Sequence, residues 1–205
     1  MRELRAYAYL GRMQPQYAAY VGATVQGDVP VAGMAELLVE MAPSMEIFAV
    51  ADVALKASDV RPATQLIERE FGLLEIHSFD QAAVQAAGKA ILDYLGASEA
   101  DRLRPTTASS QVITNVDPYQ AQLINKFRRG ALLVPGRTLC VMEVSPAAYA
   151  GFAMNESEKA ADINVVYVST VGRFGRLFMS GTEADVLQAR DAAISALSTL
   201  EGREP

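Results

Sequence analysis

Ile67-Glu68-Arg69-Glu70-Phe71-Gly72 sets a charged triplet between two apolar, β-rich segments and closes on Phe-Gly. Val171-Gly172-Arg173-Phe174-Gly175 echoes it 103 residues later. Sliding the 205-residue sequence against itself by 103 extends the echo from end to end without a gap, with 17 identical positions. Pro15/Pro118, Gly27/Gly130, Gly33/Gly136, Glu40/Glu143, Pro43/Pro146, Lys56/Lys159 and Asp59/Asp162 are among them. Turn-forming and charged residues dominate these pairs, which marks shared architecture rather than generic core composition. The chain therefore reads as two tandem copies of one domain, 1–103 and 104–205. The polar, Pro-containing stretch Asp101-Arg102-Leu103-Arg104-Pro105-Thr106-Thr107 is the join.

Half the residues are hydrophobic and a fifth charged, which suits two packed domains of ordinary size. A net charge of −6 argues against a nucleic-acid partner. One cysteine, Cys140, cannot build an internal disulfide framework, and a reducing cytoplasm is expected. Met1-Arg2-Glu3-Leu4-Arg5 lacks a signal-peptide core, and no apolar run approaches the ~20 residues of a membrane span. Neither export nor membrane insertion is expected.

Within the first copy, Leu4–Leu10 and Ala35–Glu40 read as strands and Gln14–Gly22 as a short helix opened by Pro15. Met45–Ser58 is the clearest helix, with Ile47, Val50, Ala51, Ala54 and Leu55 on one apolar face. Strands Val60–Ile67 and Phe71–His77 flank the charged triplet. Asp80 caps a helix over Gln81–Leu95 that Gly96 ends. The second copy predicts strands at 111–116, 139–144, 163–170 and 174–179, with helices from Pro118, over 147–162 and over 183–200. Short links between these elements favour an α+β domain with helices on one face of an antiparallel sheet.

The stretch Ala51-Asp52-Val53-Ala54-Leu55-Lys56-Ala57-Ser58-Asp59 resembles the lysine-containing helix signature of bacterial microcompartment shell proteins. Asn155-Glu156-Ser157-Glu158-Lys159-Ala160-Ala161-Asp162 is a diverged second copy. A strand and short helix precede each signature, which resembles the circularly permuted form of that domain. Leu66-Ile67-Glu68-Arg69, Gln120-Ala121-Gln122-Leu123-Ile124-Asn125 and Phe174-Gly175-Arg176-Leu177-Phe178 resemble the tandem-domain trimeric subclass found in carboxysomes and other microcompartments.

That resemblance implies two permuted, ferredoxin-like BMC domains per chain and a homotrimeric pseudohexamer. It further implies face-to-face stacking of two trimers, tiling with shell hexamers and pentamers, and a gated central pore for metabolites. It implies a structural, non-enzymatic protein of a cytoplasmic microcompartment; no cofactor is expected, since neither candidate loop carries a cysteine. Glu68 and Arg69 match the pair that lines the pore, and Lys56 and Lys159 match the tile-edge lysines.

From the residues alone, Glu68-Arg69 would be a solvated turn. Gly172, Arg173, Phe174 and Gly175 form either a plain hairpin turn or a second pore loop whose glycines permit close approach to an axis. Arg173, if it faces the pore, favours small anionic metabolites. Lys56 and Lys159 also suit solvated helix ends. Lys126-Phe127-Arg128-Arg129 is the one dense basic cluster, either a solvated turn or a surface facing the chamber between trimers. His77 and Cys140 lie on strand-like segments without a ligand cluster or a nucleophile–base motif. Neither a metal site nor an iron–sulfur site is expected. The competing function is a soluble small-molecule-binding or regulatory protein with duplicated domains.

Overall fold

The computed structural model describes residues 2–204; Met1 and Pro205, the outer ends of the two expected domains, lie outside the described residues. The first repeat runs β1 (Glu3–Leu10), α1 (Pro15–Thr24), β2 (Ala35–Ala42), α2 (Glu46–Ala57), β3 (Arg61–Glu68), β4 (Phe71–Ser78) and α3 (Gln81–Leu95). The second runs β5 (Thr106–Ile113), α4 (Pro118–Phe127), β6 (Thr138–Ser145), α5 (Tyr149–Ala160), β7 (Asn164–Ser169), β8 (Gly175–Gly181) and α6 (Glu183–Ser198). Each repeat forms a four-stranded antiparallel sheet, in the orders β1-β2-β4-β3 and β5-β6-β8-β7.

The repeat holds at fine detail. Register shifts at Leu4/Ala6 and Pro62/Thr64 recur at Thr107/Ser109 and Val165/Tyr167. Gly33 and Gly136 both turn through positive φ, 93° and 81°. Asp80 accepts from the Ala82 N–H to cap α3, and Gly96 ends that helix in the left-handed region.

In the first repeat α2 and α3 cover one face of the sheet. Ile47, Val50, Ala51, Ala54, Val84, Ala87 and Ile91 pack there on Leu37, Val39, Leu74 and Ile76. Strand alternation sends Leu38 and Leu73 to the other face. There they pack with Tyr17 and Tyr20 of α1 and with Tyr149, Ala153 and Met154 of α5. The main helices thus share one face as expected, while α1 and the second repeat close the opposite one.

Two local expectations need correction. The fifth strand begins at Thr106, not 111, and ends at Ile113. Its start is polar because β5 is an edge strand with little burial within the chain, so no apolar alternation marks it. The join is correspondingly tight: Leu103 donates to the Arg5 carbonyl, and buried Arg102 donates to the Tyr7 and Glu201 carbonyls. Leu55 is 42% exposed and does not extend the core stripe of α2.

Candidate pore loops and the contact between the repeats

Both candidate loops sit on tight strand connections. Glu68 pairs with Phe71 across the β3–β4 hairpin, leaving Arg69 and Glu70 as its turn. Arg69 adopts φ 54°, and Gly172, its counterpart 103 residues on, adopts φ 93°. That conformation suits glycine and costs an ordinary L residue about 1–2 kcal/mol. Arg69 Nε lies 3.8 Å from Glu68 Oε1, with the arginine side chain 91% exposed. An exposed pair of this kind contributes between 0 and about 1 kcal/mol. The Arg173 guanidinium lies 5.6 Å from the Phe174 ring centroid, within cation–π range.

The tertiary structure brings these loops together. Glu68, Arg69 and Glu70 line one cleft with Gly172 and Arg173, alongside Arg5, Phe71 and Ser145, enclosing about 460 Å³. Beneath it the Arg5 guanidinium stacks 3.7 Å from the Phe71 ring centroid and donates to Glu40 at 2.7 Å. The other Glu40 oxygen accepts from the Ala148 N–H at 3.0 Å, at the start of α5. Burial raises the Glu40 carboxyl above its ordinary range, while Arg5 and the Ala148 N–H oppose that shift. Glu40 therefore ties the first sheet to a helix of the second repeat.

Gly72 and Gly175 lie at the starts of β4 and β8, beside the candidate loops. A Cβ on either would collide with backbone, at the Ser44 and Ala147 carbonyl oxygens respectively. This steric need accounts for the repeated glycine.

A second seam lies along α1. Gln14 makes no side-chain cap. The Asn155 side chain accepts from the Gln14 N–H, and Glu158 accepts from both Gln16 and Tyr17 N–H at 2.8 Å. A carboxylate from the other repeat thus satisfies the helix terminus and complements its dipole. Its equivalent α4 caps itself through Asp117, which accepts from the Tyr119 N–H. Gly151 leaves room for the Tyr17 hydroxyl and Leu38 at this seam. Phe48, at the matching position of the first repeat, is 48% exposed.

The remaining candidates are dispersed. Lys56 pairs with Asp52 at 2.7 Å and Lys159 with Glu156 at 3.3 Å, both as exposed pairs within a helix. The basic cluster divides: Lys126 and Phe127 end α4, and Arg129 reaches the rim of a cavity between the repeats. His77 is buried with both ring nitrogens engaged, by Glu75 and Asp28. Cys140 is a buried thiol pushed up to about 11 by burial. No cluster of potential metal ligands occurs among the described residues, and no helix there is long and apolar enough to cross a membrane.

Sequence inspection missed Arg5, Glu40 and Glu158 as ties between the repeats. The identical pair Glu40/Glu143 was visible, whereas nothing local distinguishes Glu158 from other helical glutamates.

Two permuted sheets, duplicated without a gap and meeting at paired hairpin loops, define a tandem-domain shell protein of the microcompartment type. Residues 4–101 match the family model described as the CsoS1D N-terminal domain. The carboxysome shell protein CcmP of Synechococcus elongatus is 50% identical over 98% of this chain and 95% of its own. The carboxysome shell protein CsoS1D of Hydrogenovibrio crunogenus is 42% identical over 99% and 100%. Among solved structures, the fused permuted hexameric shell protein of the RMM microcompartment superimposes with TM-score 0.95 at 45% identity, covering 98% of this chain and 100% of that one. The double-ringed trimeric shell protein of the same microcompartment gives 0.96 at 37%, with full coverage of both. The chain belongs to the CcmP/CsoS1D family of shell proteins. Its role is structural, in the shell of a cytoplasmic microcompartment, and the duplicated soluble regulator gives way to that role.

Proposed function

We propose that three chains, each of two permuted domains (1–103 and 104–205), close into a pseudohexameric ring with a gated pore on its axis. The observation that carries this reading is the single cleft shared by the Glu68-Arg69 and Gly172-Arg173 loops. Rotation about a threefold axis beside that cleft would alternate a charged loop with a glycine-containing one around the opening.

The contact between the repeats is a template for the contact between chains. Tyr20 of α1 is buried against the second repeat, whereas its counterpart Leu123 and the nearby Tyr119 of α4 stand exposed. Where α5 offers Glu158 and Gly151, α2 exposes Leu55 and Phe48. Joining α4 of one chain to α2 of the next would cover these apolar residues, and Asp117 removes any need for a cap from the neighbour. Val29 and Val31 are exposed, as are their counterparts Leu132 and Val134. Six copies of this apolar loop per ring favour face-to-face stacking of two rings. Lys56 and Lys159 are assigned to the tile edges that meet shell hexamers and pentamers.

Glu68 and Arg69 are the gate and Gly172, Arg173, Phe174 and Gly175 the second pore loop. Their loose contact gains little energy, so neither an open nor a closed arrangement is locked. Glu68, Arg69, Glu70 and Arg173 sum to no net charge, so preference for small anionic metabolites depends on Arg173 facing the axis. The chain performs no catalysis and takes no cofactor. Cryo-electron microscopy of Glu68→Ala and Arg69→Ala rings tests the gate. Open and closed populations should shift; populations equal to those of the unaltered protein would overturn it.

A further inference from the structure

The first repeat buries a polar chain that the second repeat does without. Tyr17 donates its hydroxyl to Glu36 at 3.0 and 3.2 Å. Glu36 and Glu75 line the same cavity, and the charge of Glu75 bears on Glu36. Glu75 accepts from the Ala63 N–H at 2.9 Å and contacts His77 Nδ1 at 3.0 Å. His77 Nε2 contacts Asp28 at 3.1 Å, and Asp28 lies 3.4 Å from Arg61. Glu36, Glu75 and His77 are buried.

The corresponding residues of the second repeat are Gln120, Leu139, Phe178, Ser180 and Ala131. The same sheet forms around them. Leu139 is fully buried among Val116, Ala121, Ile124, Leu133 and Val166. Phe178 packs with Phe127 and Tyr167 at centroid distances of 6.1 and 5.2 Å. The two repeats share one architecture, so the second serves as an internal control: this fold does not require buried carboxyls here. Burying them is costly, and Glu36 and Glu75, side by side, cannot both ionise without strong repulsion.

The network also occupies a strategic place. Glu36, Glu75 and Tyr17 line a cavity of about 280 Å³ whose other wall is Tyr167–Val171, with Arg129 among its lining residues. That wall runs directly into Gly172. Glu75 and Ala63 belong to the two strands that end in the Glu68-Arg69 turn. Arg61 on β3, which pairs with Asp28, and Arg129 from the second repeat are the other charged groups facing it among the described residues.

We propose that Tyr17, Glu36, Glu75, His77 and Asp28 form a proton-binding switch peculiar to the first repeat. Loss of its protons loosens the strand ends that carry both pore loops. The link to the pore rests on the proposed function, whereas the proton binding does not, and the two are measured separately.

The sign follows from the environment. Burial, then the charge of Glu75, pushes the Glu36 carboxyl well above its ordinary 4.5. Burial opposes charge on His77, but the hydrogen bonds and charges of Glu75 and Asp28 outweigh it and raise the imidazole above 6.5. Both groups bind protons more tightly in the folded chain than in the unfolded one. Their contribution to stability is complete below the unfolded values and is lost as pH rises through the folded ones.

His77 is the lone histidine, so its imidazole resonances report without ambiguity. NMR titration of the intact protein should find it charged above pH 6.5, with Glu75→Gln returning it toward that value. The thermal midpoint should fall from about pH 6 to about pH 9, and Glu36→Gln should flatten that slope. Glu36→Leu/Glu75→Phe installs the second repeat's residues and should flatten it further; Glu36→Gln decides the matter should that variant fail to fold. Ordinary titration of His77 together with parallel stability curves would overturn the proton site. Hydrogen exchange at 66–74 and 168–174, corrected for intrinsic rates, reads the coupling. Protection should drop about tenfold between about pH 6 and 8.5 in the unaltered protein but not in Glu36→Gln. Equal protection at both pH values would overturn the switch even with the proton site established.

Discussion

Arg69 and Gly172 occupy the same backbone corner, 103 residues apart, and both turn through positive φ, 54° and 93°. The second copy meets that corner with glycine, and the first with an arginine beside Glu68. Of these two corners, only the first places a residue with a side chain in the left-handed region.

Paired substitutions at this corner should behave asymmetrically. Arg69→Gly relieves the left-handed conformation, about 1–2 kcal/mol, against an entropy cost of roughly 0.5–1 kcal/mol. Stability should remain within about 1 kcal/mol of the unaltered protein. Gly172→Ala gains no contact, since a Cβ there meets nothing within 4 Å, and should cost about 1–2 kcal/mol. Denaturant unfolding of the two variants checks the contrast.

Glu158 caps α1 across the seam between the repeats. Glu158→Ala should cost about 1–2 kcal/mol by leaving two helix-terminal N–H groups unpaired. Glu158→Gln should recover part of that loss. The self-contained cap of α4 should respond locally, with Asp117→Ala costing about 1 kcal/mol. Urea midpoints give these values.

Gly72→Ala and Gly175→Ala should each destabilise by at least about 1–3 kcal/mol, because the obstacle is backbone rather than a movable side chain. Gly96→Ala meets open space but a φ of 64°, so its cost is conformational, about 1 kcal/mol. Thermal unfolding separates the two mechanisms through their sizes.

Phe48→Asp and Leu123→Asp should dissociate rings without unfolding chains. Each residue is exposed in the single chain, so the fold loses little. A charge introduced into the covered seam should cost on the order of 2 kcal/mol or more of association energy. Light scattering should show monomers whose circular dichroism is unchanged. Intact rings from both variants would exclude this edge as the contact.

Much of the fold was legible because its markers are local. Pro15, Asp80 and Gly96 act through neighbouring backbone, and the α2 stripe of Ile47, Val50, Ala51 and Ala54 follows helical spacing. The start of β5 carries no sequence signal because an edge strand little buried within its own chain has no reason to alternate apolar and polar residues. Helical spacing places Leu55 on the core face of α2, yet it is exposed, because periodicity identifies a face but not where its neighbours stop. The lysine positions and the loop residues stood out in sequence, but their assembly roles depend on contacts outside one chain.

Arg5, Glu40, Glu158 and the Glu36–Glu75 pair have no local signature, since each gains its partner from strands or helices distant in sequence. The sequence by itself determined the duplication, the element order and the positions of the repeated glycines, because spacing and backbone chemistry act along the chain. Only the tertiary structure decided that the charged and glycine-bearing loops share one cleft, and that a carboxylate of one repeat completes a helix of the other. Those relations depend on how two copies pack, and packing distances are not functions of sequence separation.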